Sequence, residues 1–396
     1  MKWVKKGREY SNNEIVRLID LDAGIYIFGT GEMARNHCEP LWHFNLVRGV
    51  IDNDERRQGK LYHQMEILSF NAFLKRRKNE IIIIAANKKN AAQIRRQLNE
   101  AELQAGKDFF LVEEFMTRYF PILLSEQYNK NYVELVQISL TERCSLKCQK
   151  CAHGCHMVPM DSMDMTIDEA KTSADYFFSF TDYVKYFVLI GGEPLLYRDL
   201  DEIISYIAMQ YGDKIEQLQI TTNGTIVPND RVLRTCKNCN VFFMISNYTK
   251  QVPRIVPQVQ HLCDVLNKEN IDYALFPEET EWTDYGFDYL NREASEKELI
   301  RVFDACKTGC HEIRKEKFYY CVMARSVSEN MMGGHIGKED YLDLQLLKSD
   351  NDKDRKIFFE YTQGYSDNGY LKMCNYCHGA ERIDYPIPAA VQAKQQ

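Results

Sequence analysis

Apolar and polar segments alternate along the first third of the chain in lengths that suit strands and helices. Short apolar runs predict buried β-strands at residues 25–28, 46–51, 81–85 and 109–112. Between the last two runs, residues 91–103 repeat apolar positions at helical spacing. Strands that alternate with helices are typical of a parallel sheet with crossover helices, so we predict a doubly wound α/β domain over residues 1–125.

A second alternating series follows a polar connector and predicts another parallel sheet. Its candidate strands lie at residues 133–140, 184–190, 215–221, 241–246 and 271–275. The clearest helices between them cover residues 167–178 and 200–211. Repeated strand–helix units of this length predict a closed or partial (β/α) barrel of the TIM type over residues 132–295, with the chemistry at the carboxyl ends of the strands.

The composition changes near residue 296. Cysteine pairs, short aromatic runs and a charged stretch replace the alternating pattern. We predict a small domain over residues 296–396 that bound metal organises, because its own apolar core is sparse. The last residues, 389–396, are predicted to fray.

Charge and cysteine usage narrow the classes of function. The net charge is −7 and the basic residues are scattered, which argues against a nucleic-acid partner. Residues 1–10 are charged with no apolar core after them, and no apolar run approaches the roughly 20 residues of a membrane span. The thirteen cysteines are bunched in a large chain, which favours metal binding in a reducing compartment over disulfides. We therefore expect a cytoplasmic protein that does not bind membranes.

Three cysteines with C-x3-C-x2-C spacing follow the first predicted barrel strand. They are Cys144, Cys148 and Cys151. Three thiolates on one loop can hold three irons of a 4Fe–4S cube and leave the fourth iron without a cysteine. The motif resembles that of the radical S-adenosylmethionine (radical SAM) superfamily. This resemblance implies that the open iron binds S-adenosylmethionine, whose reductive cleavage gives a 5′-deoxyadenosyl radical that abstracts hydrogen from a substrate.

Two residues near the triad keep other interpretations open. Lys150 stands where the family usually has an aromatic residue that packs near the adenine. Cys155 could supply a fourth ligand, which would close the cluster and make it an electron carrier. A structural zinc site is a further alternative.

Motifs at later strand ends support the resemblance. Gly191 and Gly192 precede Glu193 and Pro194 after a predicted strand, and glycines there let the backbone approach a ligand closely. In the family this stretch receives the amino group of the methionine moiety, which implies that role for Gly191, Gly192 and Glu193. The resemblance also implies that Asn223 and Ser246 bind the ribose hydroxyls, although an Asn-Gly turn explains Asn223 nearly as well.

Five cysteines occupy three places in the last segment. They are Cys306, Cys310, Cys321, Cys374 and Cys377. The layout resembles the auxiliary-cluster domains called SPASM or its shortened twitch form, and it implies one auxiliary 4Fe–4S cluster. Glu316 stands where those domains have a glycine, so Cys306 and Cys310 compete as the first ligand. A zinc site with the same thiols is the alternative.

Glycines also mark the first domain. Gly29 and Gly31 follow a strand, with Ala34 in place of the third glycine of the dinucleotide fingerprint and Asp52 at the end of the next strand. This arrangement predicts a Rossmann-like domain in which the loop cradles a phosphate and Asp52 binds a ribose. The segment around Asp52 resembles the nucleotide-sugar-binding domains that precede some sugar acyltransferases. A Rossmann-like domain used for docking or assembly is the alternative.

The chain is thus predicted to be an α/β radical SAM enzyme with a small-molecule substrate. The first domain suggests a sugar or sugar nucleotide, and the reaction would be an epimerisation, dehydrogenation or dehydration. The resemblance implies an external electron donor such as flavodoxin or ferredoxin. A peptide-modifying radical SAM maturase and a non-catalytic iron–sulfur electron-transfer protein are the alternatives.

Overall fold

The computed structural model describes residues 19–158, 164–278, 281–286, 291–306, 308–331, 340–379 and 385–393. These residues fall into two compact units. The first ends at Tyr132 and the second begins at Val133.

A six-stranded sheet forms the centre of the first unit. Its strands are β1 (Ile25–Phe28), β2 (Val47–Ile51), β3 (Leu61–Tyr62), β4 (Met65–Leu68), β5 (Ile81–Ile84) and β6 (Phe109–Leu111). The order across the sheet is β3-β4-β2-β1-β5-β6, and every pairing is parallel except that of β3 with β4. Every residue of β1 and β5 is buried, as expected for central strands that are covered on both faces.

Short helices connect these strands. They are α1 (Glu32–His37), α2 (Glu39–His43), α3 (Phe70–Arg76), α4 (Lys88–Glu100), α5 (Val112–Glu114) and α6 (Phe120–Tyr128), with a π-helical turn (Phe115–Tyr119) between the last two. The Asn87 side chain accepts a hydrogen bond from the Asn90 amide and caps the start of α4. Ala91, Ile94 and Leu98 then form the buried face of α4.

The second unit contains an eight-stranded open sheet and a two-stranded ribbon. The strands are β7 (Tyr132–Ser139), β8 (Tyr183–Ile190), β9 (Ile215–Thr222), β10 (Phe242–Ile245), β11 (Tyr273–Leu275), β12 (Glu281–Thr283), β13 (His311–Arg314), β14 (Lys317–Tyr319), β15 (Tyr341–Asp343) and β16 (Pro386–Pro388). The order in the sheet is β11-β10-β9-β8-β7-β13-β14-β15, and β12 pairs with β16 in the ribbon. Within the described residues the sheet keeps two edges, so the barrel is partial and the predicted α/β fold class is confirmed.

Helices cover this sheet. They are α7 (Ile167–Phe180), α8 (Leu200–Tyr211), α9 (Asp230–Asn238), α10 (Val256–Glu269), α11 (Glu296–Ala305), α12 (Val322–Ser326) and α13 (Asp352–Thr362), with a π-helical turn (Val327–Met331) after α12. Thr166 and Glu169 form a capping box that fixes the start of α7.

The segments predicted as two domains, 132–295 and 296–396, form one compact unit in the structure. Strand β13 pairs in parallel with β7, the first strand of the barrel. The ring of Phe177 on α7 lies 6.3 Å from the rings of Phe318 and Phe358, so one apolar core includes residues on both sides of the predicted boundary.

In the described parts of the chain, no helix combines the length and the apolar composition that crossing a membrane requires.

Candidate metal centres

The cysteine triad lies on the loop that follows β7, where its thiols are close enough to influence one another electrostatically. Burial is the largest cause that raises the pKa of Cys144 and of Cys148 to about 12. Buried thiols whose ionisation needs a nearby cation suit metal ligation, because the metal supplies the charge that stabilises the thiolate. The donor set therefore fits the cluster that the sequence predicts.

Two sulfurs of the triad also accept hydrogen bonds from side chains. Asn223 Nδ2 lies 3.6 Å from Cys144 Sγ, and Gln392 Nε2 lies 3.2 Å from Cys148 Sγ. Interaction with Cys155 is the largest cause that lowers the pKa of Cys151 to about 6, and Cys155 Sγ itself donates to the His153 carbonyl at 3.8 Å. Hydrogen bonds to sulfur are among the features that set the potential of an iron–sulfur cluster.

The contact from Gln392 was not predicted, because it comes from the tail expected to fray. Residues 391–393 instead lie alongside the triad loop as a bridge partner. The Gln149 amide donates to the Val391 carbonyl at 2.7 Å, and the Ala393 amide donates to the Lys147 carbonyl at 2.6 Å. These backbone bonds hold the tail, so the prediction of fraying was wrong for these three residues.

Cys155 is buried beside the triad, with 3% of its surface exposed. It follows Gly154, which adopts a left-handed conformation (φ 66°) and turns the chain back toward Cys151. Cys155 therefore lies next to the triad, and the alternative in which it is the fourth cluster ligand stays open.

The two glycines after β8 serve a close approach of protein backbone. A Cβ atom at Gly191 would lie 2.4 Å from the Thr141 carbonyl oxygen, and one at Gly192 would lie 2.1 Å from the Arg143 carbonyl oxygen. The Gly192 amide donates to the Thr141 carbonyl at 2.7 Å. The glycines thus let the end of β8 lie against the triad loop, and the contact with the methionine moiety predicted for Gly191 and Gly192 stays a prediction.

Glu193 joins the ends of two neighbouring strands. Its side chain is fully buried and accepts hydrogen bonds from Thr222 Oγ1 at 2.8 Å, the Asn223 amide at 2.9 Å and the Leu195 amide at 3.2 Å. Burial is the largest cause that raises the pKa of Glu193 to about 7. Its three protein donors show a structural role, and its predicted contact with the methionine moiety stays a prediction.

Asn223 forms the turn that the sequence offered for it and also contacts the triad loop. Its oxygen accepts from the Thr225 amide at 3.0 Å across a turn in which Gly224 has a φ of 73°, so the Asn-Gly turn is formed. Its nitrogen faces the triad loop, where it donates to Ser145 Oγ at 3.0 Å and to Cys144 Sγ. The ribose contact predicted for Asn223 stays a prediction.

A cavity of about 460 Å³ adjoins the triad, and its volume lies within the range of small-molecule sites. It is lined by residues of the triad loop, of the end of β10 and of the β12–β16 ribbon, including Lys150, Cys151, His153, Ser246, Tyr248 and Trp282. Lys150 Nζ lies 3.2 Å from Asp284 Oδ2, and the ring of Tyr248 meets that of Trp282 edge to face at 5.4 Å. Ser246 and Cys151 therefore share one cavity, as the predicted ribose contact requires.

A second set of thiols surrounds a smaller cavity. Its lining includes Cys306, Cys321, Cys374 and Cys377. Cys310 is not part of that lining, and its carbonyl accepts a hydrogen bond from the Val322 amide at 3.1 Å. The structure thus brings four of the five predicted ligands together. It places Cys306 in the lining and Cys310 outside it, although the sequence could not decide between these two residues.

The four thiols come from different elements. Cys306 ends α11, Cys321 caps the start of α12, and Cys374 and Cys377 lie in and after a 3₁₀ turn. Within the described residues, no three metal-ligating side chains converge on the position of a single ion. A 4Fe–4S cluster does not require its ligands to converge on one ion, because each thiolate binds a different iron of the cluster.

The first unit has a separate crevice of about 510 Å³ at the carboxyl ends of β1, β2 and β5, and Gly29, Gly31 and Asp52 all line it. Asp52 Oδ2 accepts from the Thr30 amide at 3.0 Å and from Thr30 Oγ1 at 2.6 Å, and Oδ1 accepts from the Asp54 amide at 2.9 Å. The Asp52 carboxylate therefore already accepts a hydrogen bond from one backbone amide of the loop that is predicted to cradle a phosphate.

The two glycines of this loop differ. Gly29 has a φ of 111°, and a Cβ atom there would lie 2.5 Å from the Ala85 carbonyl oxygen. A Cβ atom at Gly31 would meet no atom within 4 Å. The fold thus requires the first glycine, whereas the second leaves open space in the crevice.

Sequence comparisons identify the domain around the triad. The family model of the radical SAM superfamily matches residues 138–247. Molybdenum cofactor biosynthesis protein 1 of Drosophila melanogaster is 35% identical over 106 residues, which cover 26% of this chain and 18% of that protein. GTP 3′,8-cyclase of Stenotrophomonas maltophilia (strain R551-3) is 33% identical over 105 residues, which cover 26% of this chain and 31% of that protein. The chain thus spans less than a third of the length of these relatives.

Solved structures with AdoMet are also similar. BtrN in complex with AdoMet and 2-DOIA is 14% identical, with a TM-score of 0.40 over 65% of this chain and 100% of that chain. Streptococcus suis SuiB bound to S-adenosylmethionine is 16% identical, with a TM-score of 0.30 over 56% of this chain and 49% of that chain.

The family match contains the triad, Gly191 to Pro194, Asn223 and Ser246. The 4Fe–4S cluster and S-adenosylmethionine predicted from the triad are the cofactors of this superfamily, so these two predictions are confirmed. Residues 138–247 of this chain therefore form a domain that matches the radical SAM superfamily.

Proposed function

We propose that this radical SAM enzyme abstracts hydrogen from a sugar or sugar nucleotide and so drives an epimerisation, dehydrogenation or dehydration. The cavity of about 460 Å³ beside Cys151 carries this proposal. An electron carrier needs no space for a small molecule next to its cluster, whereas an enzyme that transfers hydrogen must hold its substrate there.

We assign the first cluster to Cys144, Cys148 and Cys151. When bound, the cluster and S-adenosylmethionine supply a 5′-deoxyadenosyl radical that can abstract hydrogen from an unactivated C–H bond. The protein contributes position and shielding. Ser246 offers a hydroxyl to the cavity, and the paired rings of Tyr248 and Trp282 form an apolar part of the wall that excludes water.

The lining of the cavity supports a substrate with several hydroxyl groups. Lys150, Glu281 and Thr283 place donors and acceptors on the wall, and Trp282 and Tyr285 add aromatic surface for the apolar face of a sugar or for a base. A GTP 3′,8-cyclase among the relatives carries a nucleotide in its name, which agrees with a substrate that contains a nucleotide.

We further propose that Cys306, Cys321, Cys374 and Cys377 hold one auxiliary 4Fe–4S cluster, and that a flavodoxin or ferredoxin supplies electrons. Four thiols around one buried cavity match the ligand count of a closed cluster. Iron analysis of protein purified without oxygen should give about eight irons per chain for two such clusters. About four irons would contradict the auxiliary cluster.

A substrate panel tests the proposed reaction. The reduced enzyme is incubated with S-adenosylmethionine and either sugar nucleotides, free sugars or peptides, and 5′-deoxyadenosine is quantified. We expect a sugar or sugar nucleotide to stimulate cleavage and to exchange deuterium with the cofactor. Stimulation by peptides alone would contradict the sugar proposal and favour a peptide-modifying enzyme.

A further inference from the structure

One segment of the second unit touches both cysteine sets. It begins at Cys321, whose sulfur accepts a hydrogen bond from the Ala324 amide at 3.4 Å and caps α12. The segment continues through α12 and reaches Asn330 in the π-helical turn. We call residues 321–330 the connecting segment.

The far end of the connecting segment binds the triad loop. Ser326 Oγ donates to the Ala152 carbonyl at 2.7 Å, and Asn330 Nδ2 donates to the His153 carbonyl at 3.0 Å. Ala152 and His153 directly follow Cys151 and line the cavity beside the triad. The connecting segment therefore holds a wall of that cavity through two backbone carbonyls.

Buried ion pairs fix the middle of the connecting segment. Arg325 is fully buried, and its guanidinium lies 2.7 Å from Glu142 Oε1 and 2.7 Å from Glu312 Oε1. Asn330 Nδ2 also donates to Glu142 Oε2 at 3.0 Å. Buried charges with several partners tolerate little displacement, because each lost contact leaves a desolvated charge. The connecting segment can therefore transmit a shift at Cys321 to the triad loop.

We propose that the connecting segment couples occupation of the auxiliary thiol set to binding of S-adenosylmethionine, with Ser326 and Asn330 as positioning residues. The coupling rests on the proposed function of both cysteine sets. Metal bound at Cys321 orders the start of α12, and the two side chains carry that order to the carbonyls beside Cys151. Such coupling is reciprocal, so S-adenosylmethionine also stabilises the auxiliary set.

A double-mutant cycle tests this coupling. Ser326→Ala removes the contact with the triad loop, and Cys374→Ala disables the auxiliary set without touching the connecting segment's far end. Ser173→Ala is the matched control, since Ser173 is equally buried and its hydroxyl donates to the Glu169 carbonyl of its own helix at 2.7 Å. Affinity for S-adenosylmethionine is measured from the change that it causes in the electron paramagnetic resonance spectrum of the reduced first cluster.

We expect Ser326→Ala and Cys374→Ala each to weaken S-adenosylmethionine binding about threefold to tenfold, the factor that corresponds to one hydrogen bond. The double variant should bind S-adenosylmethionine no more weakly than the single variant with the lower affinity, because both changes break the same connection. Ser173→Ala should bind like the parent protein. Asn330→Ala gives a second variant that spares the auxiliary set, and it should also weaken binding.

Independent effects would overturn the coupling. If Cys374→Ala leaves the affinity unchanged, or if the losses in the double variant multiply, the auxiliary set does not act through the connecting segment. These outcomes leave the proposed enzymatic function intact. If the parent protein shows no spectral response to S-adenosylmethionine, the proposed function itself fails and the coupling fails with it.

Discussion

Replacing Arg325 by methionine should destabilise the second unit strongly. The change keeps most of the side-chain volume but leaves Glu142 and Glu312 without the cation that lies 2.7 Å from each of them. Removing one partner of a buried ion pair costs about 3 to 5 kcal/mol, because the remaining charge stays desolvated. Arg231→Met is the control, since Arg231 is 62% exposed in its pair with Asp201 and should cost less than about 1 kcal/mol.

Hydrogen exchange of peptides from β7 and β13, followed at increasing urea concentrations, reports unfolding of the second unit alone. The double variant Arg325→Met/Glu312→Gln should recover part of the loss, because it removes the buried charge of Glu312, whereas Glu142 keeps Arg314 Nη1 at 3.1 Å. The reasoning is refuted if Arg325→Met costs no more than Arg231→Met, or if the second substitution restores nothing.

Three further predictions concern individual cysteines and the first unit. Cys155→Ala should retain the first cluster and the formation of 5′-deoxyadenosine, since three thiols suffice; loss of the cluster would favour the four-thiol alternative. Cys306→Ala should lower the iron content by about four per chain whereas Cys310→Ala should not, and equal losses would contradict the assignment of Cys306. Gly31→Leu should fold normally, but its side chain should fill the crevice of the first unit and weaken the UDP-glucose binding of the parent protein, as measured by calorimetry. An unchanged affinity would contradict binding in that crevice.

Strands β1, β2 and β5–β11 could be predicted because each of them is an apolar run in the local sequence. The prediction at residues 215–221 matches β9 (Ile215–Thr222) to within one residue, and the prediction at residues 200–211 matches α8. The hairpin of β3 and β4 was missed because its pattern is weak, with Leu61 71% exposed. An exposed edge hairpin has little apolar periodicity to detect.

Long-range pairing could not be predicted in the same way. Nothing near residue 311 indicates that β13 returns to β7, because that contact depends on the geometry of the whole sheet. For the same reason local spacing left Cys306 and Cys310 unranked, although only Cys306 lines the cavity with the other three thiols. The hydrogen bond from Gln392 to Cys148 joins residues that are 244 positions apart.

Motifs indicated where site residues lie, and the roles predicted for those residues stay predictions. Asp52 lies in a crevice as predicted, but its carboxylate bonds to the glycine loop itself. Gly191 lies beside the triad loop, where the Thr141 carbonyl makes the close approach that only a glycine permits. A glycine motif shows where the backbone must allow a close approach, whereas the group that approaches can be identified only in the folded structure.

The formation of 5′-deoxyadenosine tests the central claim most directly. Protein purified without oxygen is reduced with dithionite and mixed with S-adenosylmethionine. Cys148→Ala is assayed alongside it, and Cys236→Ala is the control, because Cys236 is buried in α9 and lines neither cysteine cavity. We predict 5′-deoxyadenosine from the parent protein and from Cys236→Ala, and none from Cys148→Ala. Its absence from parent protein that holds iron, or equal formation by Cys148→Ala, would contradict the assignment of the triad as the site where the radical reaction begins.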